Sequence, residues 1–347
     1  MSSEINYSKR VFGLDILRCI AIFFVLIDHA GYNPFPKIML GTIGVDLFFV
    51  LSGYLIGGII LSDFENFKGI STVLNFWKRR WFRTIPLYYL ALVIQIIIKG
   101  KWITSYLLYF FFLQNNFFGL SLYGVSWSLV IEEWFYLMLP FLLWFILIVF
   151  SKIDLKGLIM VYLLFIVFKI LYIQFKEIPL SAVNGNILLR ADSIFIGVFI
   201  AFFKKHNFSL IKQLAKKKIL ISVFLLMALF YFFCFYIIGI TTIEKNVLTK
   251  AFFYTIQSLF IASTIPYLLK IKYKNENNLS LIQKFIIWSS VLSYSFYLFH
   301  MNIYNLINIV KLSAYIDFPL KLITIYFLCY LVYNLFEKPI TELREKI

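Results

Sequence analysis

The sequence predicts an all-α protein, a polytopic transmembrane bundle of about ten helices with both termini in the cytoplasm. Composition is the first observation: 62% of the 347 residues are hydrophobic and 14% are charged, whereas about a quarter are charged in a typical soluble domain. The mean hydropathy of +0.87 is strongly positive. A globule of this length cannot bury so much apolar side chain, so lipid must solvate much of it.

The spacing of the apolar segments is the second observation, because a membrane-spanning helix needs about 20 mostly apolar residues. The first such segment follows Lys9 and Arg10, as in a signal peptide, but it contains charged residues and no clear small-residue cleavage site. We therefore expect it to remain as the first helix. The predicted spans are 12–31, 42–62, 83–99, 128–150, 157–175, 187–203, 219–240, 250–269, 286–310 and 318–336.

Residues 103–125 are apolar and aromatic but carry Gln114, Asn115 and Asn116 in the middle. The distribution of lysine and arginine decides how this segment is placed. With a cytoplasmic N-terminus and no span at 103–125, most basic residues fall on the cytoplasmic side, including the lysine cluster at 204–218, as the positive-inside rule requires. The sequence therefore predicts a re-entrant or interfacial 103–125 in a multi-pass protein of the bacterial cytoplasmic (inner) membrane.

The net charge of +16 is also typical of nucleic-acid-binding proteins. The positive-inside bias explains it better in so apolar a chain, so we expect membrane lipid and no nucleic acid as a partner. Cys19, Cys234 and Cys329 lie in apolar runs without metal or disulfide spacing, and we expect no metal. The whole chain, 1–347, is predicted to form a single integral membrane domain with no appended soluble domain.

Ionisable residues inside predicted spans are costly and indicate function. Arg18 and His29 of the first span are eleven residues apart, so they share one helix face about 16 Å apart along its axis. A basic anchor and a titratable base on one face suit a long anionic cofactor. A local ion pair with Asp15, one turn before Arg18, is the alternative explanation of Arg18.

The second predicted span contains Asp46 near its outer end, at a depth similar to that of His29. A carboxylate there would fix the tautomer of the imidazole and raise its basicity. Gly53 and Gly57 follow in the same span with small-xxx-small spacing, which predicts close packing against another helix.

Two further pairs of polar residues lie near span ends. Arg80 and Arg83 share one face at the start of the third span, where guanidinium groups would grip phosphates, and a positive-inside anchor is the alternative. Glu132 and Tyr136 share a face at the outer end of the fourth span.

Arg190 and Asp192 open the sixth predicted span on its outer side, where a local ion pair between them is the alternative to a functional role. His300 lies about two-thirds of the way outward along the ninth span, where a structural histidine is the alternative. The sequence thus predicts one group towards the cytoplasm, Arg18, Arg80 and Arg83, and another towards the outside, His29, Asp46, Glu132, Arg190 and Asp192. This arrangement fits a reaction between an anionic cytoplasmic donor and an outer acceptor.

Six motifs in order make the chain resemble the membrane acyltransferase family 3, the O-acyltransferases that modify surface sugars. They are Arg18 with His29 ten intervening residues later, GVDLFFVLSGYLI at 44–56, Arg80-x-x-Arg83 with Pro86 and Tyr88-Tyr89, WSLVIEEWFY at 127–136, LRADS at 189–193 and SYSFYLFH at 293–300. The resemblance implies that His29 is the catalytic histidine, that the three arginines serve the acyl donor, and that Glu132 serves the acceptor side.

These patterns and the resemblance together give our site assignment. Catalysis is assigned to His29, Asp46 and Glu132; donor binding to Arg18, Arg80 and Arg83; and acceptor binding to Arg190, Asp192, Tyr136 and His300.

The resemblance implies an O-acetyltransferase that uses cytoplasmic acetyl-CoA as co-substrate. The acceptor would be a hydroxyl of a cell-surface polysaccharide or of its lipid-linked oligosaccharide, such as an O-antigen or capsule unit. Some relatives carry a fused outer esterase-like domain, and this chain resembles the stand-alone type. His29 acts either as general base or as acyl carrier. A sugar or acyl transporter (flippase) and an inactive scaffold of a polysaccharide assembly are the alternatives.

The charge distribution yields a test of topology. A reporter fused at Asn246 is expected outside the membrane and one fused at Lys217 inside, because only that orientation leaves the lysine cluster in the cytoplasm. Paired phosphatase and fluorescent-protein fusions measure this. The same signal from both positions would contradict the predicted path of the chain between them.

Overall fold

The computed structural model describes residues 10–35, 38–117, 122–273 and 279–346, and these are helical with no β-strand among them. The long helices have 16 to 30 residues. In chain order they are α1 (Phe12–His29), α2 (Leu40–Asp63), α3 (Ile70–Lys99), α4 (Trp127–Phe150), α5 (Leu155–Lys176), α6 (Ile187–His206), α7 (Lys217–Phe232), α8 (Val247–Leu268), α9 (Leu281–Asn308) and α10 (Ala314–Val332).

Within the described residues, 7 helices are long and apolar enough to cross a membrane. They comprise α2, α3, α4, α5, α7, α8 and α10, the last extended through a π-helical stretch, Tyr333–Glu337. The other predicted spans coincide with α1, α6 and α9, the helices that carry Arg18, Arg190 and His300. The all-helical, multi-pass architecture agrees with the sequence, while the number of about ten spans and the cytoplasmic termini stay predictions.

The third helix begins well before its predicted start at residue 83. Helix α3 begins at Ile70, so Arg80 lies about 15 Å inside it rather than at its start. The apolar side chains of Val73 and Phe76 are buried, and this spacing of three makes the charged segment an amphipathic extension of the helix. A search for continuous apolar segments misses this amphipathic extension because Lys78 and its neighbours lower the local hydropathy.

Helices α2 and α6 pack along each other at the centre of the bundle, and α1, α4, α5 and α8 surround them. In α2, 72% of the apolar stretch is buried within the protein, against 11% in α7, which lies at the periphery. Gly53 and Gly57 explain the close approach: an added Cβ at Gly53 would lie 1.8 Å from the carbonyl oxygen of Ile194. Gly197 meets the backbone of α2 in the same way, 2.1 Å from the carbonyl oxygen of Val50. The predicted small-residue packing is confirmed.

Segment 103–125 contains only short helical turns among its described residues, the longest being four residues. Side chains of α3 and α4 donate hydrogen bonds to backbone carbonyl groups of this segment. The Tyr88 hydroxyl donates to the Tyr109 carbonyl at 3.0 Å, and the Trp134 indole donates to the Phe112 carbonyl at 2.8 Å. Gln114 in turn donates to Ser126 at 3.0 Å. Irregular backbone at membrane depth is tolerated where protein satisfies it, which agrees with the prediction of a segment that does not span.

The α2–α6 contact gives a stability prediction. Gly53→Ala is expected to lower the free energy of unfolding by about 1–3 kcal/mol or more, because the new methyl group collides with backbone rather than with a flexible side chain. Gly58→Ala is the matched control, since nothing lies within 4 Å of its added Cβ. Thermal melting of both variants in detergent measures the difference, and equal melting temperatures would contradict the packing described here.

Candidate active site

Two histidines meet where α1 ends against α9. The side chain of His29, the last residue of α1, is exposed, whereas that of His300 is 0% exposed. Their ring centroids are 4.9 Å apart. The sequence identified both residues as candidates but did not predict that they meet. They lie on the first and the ninth long helix, and the order of the helices along the chain does not reveal which of them pack together.

Each imidazole is oriented by its own helix. The Nδ1 atom of His29 lies 2.9 Å from the carbonyl oxygen of Val25, and that of His300 lies 2.8 Å from the carbonyl oxygen of Tyr297. A carbonyl only accepts, so Nδ1 carries the hydrogen in both neutral rings and Nε2 keeps the lone pair. This tautomer is the one that a nucleophile or a general base needs at Nε2.

Asp46 does not orient His29, which corrects the expectation that a carboxylate fixes its tautomer. One oxygen of Asp46 pairs with Arg190 of α6, and the other accepts from Gln257 of α8 at 2.6 Å. Both partners of the ion pair are 0% exposed. The guanidinium carbon of Arg190 also lies 4.2 Å from the ring centroid of Tyr254. Burial explains the pairing, since an unpaired charge at this depth would be costly.

Asp192 pairs with Lys169 of α5 at 2.9 Å, and Thr255 of α8 donates to the same carboxylate oxygen. The local ion pair between Arg190 and Asp192 is therefore wrong: each binds a different neighbouring helix. Both side chains are buried, and their assignment to acceptor binding stays a prediction.

A second polar cluster forms where α3 meets α4. Arg80 lies 3.5 Å from Glu132, and the Tyr136 hydroxyl donates to the same carboxylate oxygen at 3.1 Å. The guanidinium carbon of Arg80 is 4.3 Å from the ring centroid of Tyr136, whose hydroxyl also contacts Ser52. The sequence had put Arg80 near the cytoplasm and Glu132 near the outside, and this separation is wrong because α3 carries its arginines into the bundle.

Further charges complete the α3–α4 cluster. Arg83 is within electrostatic range of Glu132 and of Glu337, and the latter accepts from Ser295 of α9 at 2.8 Å. Both oxygens of the buried Glu133 lack a hydrogen-bond partner among the described residues. Glu337 was not among the predicted site residues, although its position directly after the last predicted span was a signal for it.

The opposite end of α1 carries the predicted ion pair of Arg18, 3.3 Å from Asp15. The same carboxylate pairs with Arg10 and accepts from Ser290 at 2.6 Å and from Tyr273 at 2.5 Å. The structure thus shows the local ion pair that was the alternative explanation of Arg18, and donor binding by Arg18 stays a prediction; α1 runs unbroken from Arg18 to His29. Arg18 thus retains its place about 16 Å from the imidazole.

Helix α9 links the α3–α4 cluster to the histidine pair through polar side chains on one face, of which Tyr297, His300 and Tyr304 are buried. Tyr294 donates to the Thr84 carbonyl of α3 at 2.9 Å, and Tyr297 contacts Ser128 of α4 at 2.6 Å. His300 follows one turn later, with Tyr304 beyond it. Spacings of three and four residues align these side chains, so they form a polar seam about 15 Å long.

This fold and this site define a polytopic helical membrane protein with a histidine centre joined to internal charges. A sequence profile of the family described as "Acyltransferase domain" matches residues 11–336, so the chain belongs to that acyltransferase family. The family resemblance inferred from the motifs is confirmed.

Curated relatives agree. Peptidoglycan O-acetyltransferase OatA of Listeria monocytogenes is 34% identical over 168 residues, 42% of this chain and 26% of the relative. O-acetyltransferase OatA of Staphylococcus aureus is 30% identical over 234 residues, 62% of this chain and 38% of the relative. Putative peptidoglycan O-acetyltransferase YrhL of Bacillus subtilis is 31% identical over 163 residues, which are 41% of this chain and 25% of the relative.

The matched regions thus cover roughly a quarter to two-fifths of those relatives' lengths. No solved structure matches the chain. Among the described residues, no three His, Cys, Asp or Glu side chains are grouped as a metal site requires, and the absence of a metal stays a prediction.

The buried ion pair of Asp46 yields a prediction. Asp46→Asn is expected to lower the free energy of unfolding by about 3–5 kcal/mol, because Arg190 keeps its charge at a fully buried position. Asp63→Asn is the control, since Asp63 pairs with Arg79 near the surface, where a pair contributes about 0–1 kcal/mol. Thermal melting distinguishes them. An Asp46→Asn protein that melts normally but is inactive would instead place Asp46 in the chemistry.

Proposed function

We propose that this protein transfers an acetyl group from cytoplasmic acetyl-CoA to a hydroxyl of a cell-envelope glycan. One observation carries the proposal: an exposed imidazole, His29, has its Nδ1 atom anchored on Val25, which leaves the lone pair of Nε2 for chemistry. Family membership supports acyl transfer, and the names of the relatives support acetyl as the group.

The donor would enter from the cytoplasm. Helix α2 ends and α3 begins on the side that the positive-inside rule makes cytoplasmic, and between them lies a polar cavity of about 530 Å³ lined by Asn75, Lys78 and Arg79 among others. Lys78 there suits the phosphates of the CoA head, and Arg79 would exchange its ion pair with Asp63, which lines the same cavity, for a phosphate. Arg80, Arg83 and Arg18 would then guide the pantetheine arm towards His29.

The acceptor would approach His29 from outside. O-antigen and capsule units are the glycans implied by the resemblance of the motifs, whereas the names of two relatives point to peptidoglycan. These glycans share the sugar hydroxyl that the reaction needs. Glu132, Tyr136 and His300 remain the proposed acceptor-side residues, with Arg190 and Asp192 holding the helices around them.

The decisive experiment uses membranes that contain the wild-type protein or His29→Ala, supplied with labelled acetyl-CoA. Label is expected in envelope polysaccharide with the wild type and absent with His29→Ala, since no other exposed imidazole lies in the described site. Quantitative immunoblotting controls for the amount of protein in the membrane. Equal labelling by both proteins would remove His29 from the chemistry, and translocation of an unmodified glycan would favour the transporter.

Donor binding has its own test. Arg80→Ala with Arg83→Ala is expected to raise KM for acetyl-CoA by about tenfold or more, because a charge-assisted hydrogen bond contributes about 1.5–3 kcal/mol. Arg80→Lys with Arg83→Lys keeps the charges and should recover part of the affinity. Lys218→Ala removes an exposed charge from the same side of the membrane and is the control. An unchanged KM in the double alanine variant would exclude these arginines from donor binding.

A further inference from the structure

His300 presents a buried lone pair beside the proposed nucleophile. Its Nδ1–H donates to the Tyr297 carbonyl at 2.8 Å, so the lone pair resides on Nε2, and Nε2 has no hydrogen-bond partner among the described residues. The ring is 0% exposed. Buried acceptors normally have a donor, so the unpartnered Nε2 of His300 is suited to accept a hydrogen bond from the hydroxyl of a ligand.

The surroundings of His300 place its ring directly beside that of His29. Its ring centroid lies 4.9 Å from that of His29, 5.8 Å from that of Tyr304 and 6.0 Å from that of Tyr297. The two tyrosine hydroxyls are occupied, by the Leu26 carbonyl at 3.2 Å and by the Val125 carbonyl at 2.7 Å. The Nε2 atom of His300 is therefore an unoccupied proton acceptor on a ring next to His29.

A second base solves a chemical problem that His29 cannot solve alone. If His29 carries the acetyl group on Nε2, the same nitrogen cannot also take the proton of the incoming hydroxyl. Transfer from an acyl-enzyme to an alcohol then needs another general base within hydrogen-bond reach. A mechanism in which His29 is only a base would leave the unpartnered lone pair of His300 without a role.

We propose that His29 is an acyl carrier and that His300 is the general base which activates the acceptor hydroxyl. This inference rests on the proposed acetyl transfer. First, Nε2 of His29 attacks the thioester carbonyl, the C–S bond breaks and CoA leaves as the thiolate, while the Nδ1–H bond to Val25 supports the acylated cationic ring. No oxidant, metal or further reactant takes part.

In the second step the acceptor oxygen attacks the acetyl carbon and its proton passes to Nε2 of His300. The bond between the acetyl carbon and His29 breaks, which restores neutral His29 and releases the ester. His300 then returns its proton through water to the CoA thiolate. The sum is acetyl-CoA plus alcohol giving ester plus CoA thiol, so atoms and charges balance.

The test separates loading of His29 from its discharge. Purified full-length protein in nanodiscs is mixed rapidly with acetyl-CoA without glycan, and released CoA and acetate are followed. His300→Asn keeps an amide donor near the Tyr297 carbonyl but has no base. It should retain the stoichiometric burst of CoA, whereas acetate formation by water slows about 10²- to 10⁴-fold.

Hydroxylamine provides a readout that a structural role would not give. It attacks acyl groups without needing a general base, so it should discharge acetyl from His300→Asn at close to the wild-type rate, as acetohydroxamate. His206→Asn is the matched control, because His206 packs on Phe202 at the far end of α6 and is the remaining histidine of the chain. It should behave like the wild type in every assay.

Unchanged acetate formation in His300→Asn would overturn the proposal. CoA release by the wild type without a burst would do so as well, because it would mean direct transfer. Loss of the burst and of the hydroxylamine reaction in His300→Asn would also overturn it and make the residue structural. Failure of the wild type to release any CoA would instead contradict the proposed acetyl transfer itself.

Discussion

The cost of burying charge is the constraint on which the rest of this structure depends. An isolated ion deep in a membrane protein costs several kcal/mol, and several buried charges of the described bundle pair with a charge on another helix. The pairs of Asp46 with Arg190 and of Asp192 with Lys169 join α6 to α2 and α5. Pairing therefore determines helix neighbours as well as charge states, and the few polar atoms left without a partner mark where function is to be sought.

Much of the architecture follows from the sequence because lipid imposes a length and a composition on each helix. All predicted spans coincide with long helices, and the polar segment 103–125 is recognisable because Gln114 and Asn115 interrupt its apolar run. The start of α3 was mispredicted for the converse reason. Its first turns are amphipathic, so hydropathy places the boundary too late, at the point where charged residues cease.

The candidate site was predictable residue by residue but not as an arrangement. Motif positions identified His29, His300, Arg80 and Glu132 singly, yet depth alone misplaced their neighbours. Asp46 lies on α2, the helix that follows His29 in the chain. Its side chain, however, faces α6 and pairs with Arg190 there. Contacts between α1 and α9, or between α3 and α4, depend on the packing of the entire bundle, which no local pattern of residues encodes.

The two ion pairs on α6 also limit how this bundle can move. Arg190 and Asp192 are two residues apart and point to opposite neighbours, so sliding or rotating α6 would break at least one buried pair. Alternating access by rocking helices would incur that cost in every cycle. A rigid core is compatible with a different solution, in which the barrier stays closed and only a two-carbon group, passed from the donor to His29 and then to the acceptor, changes sides of the membrane.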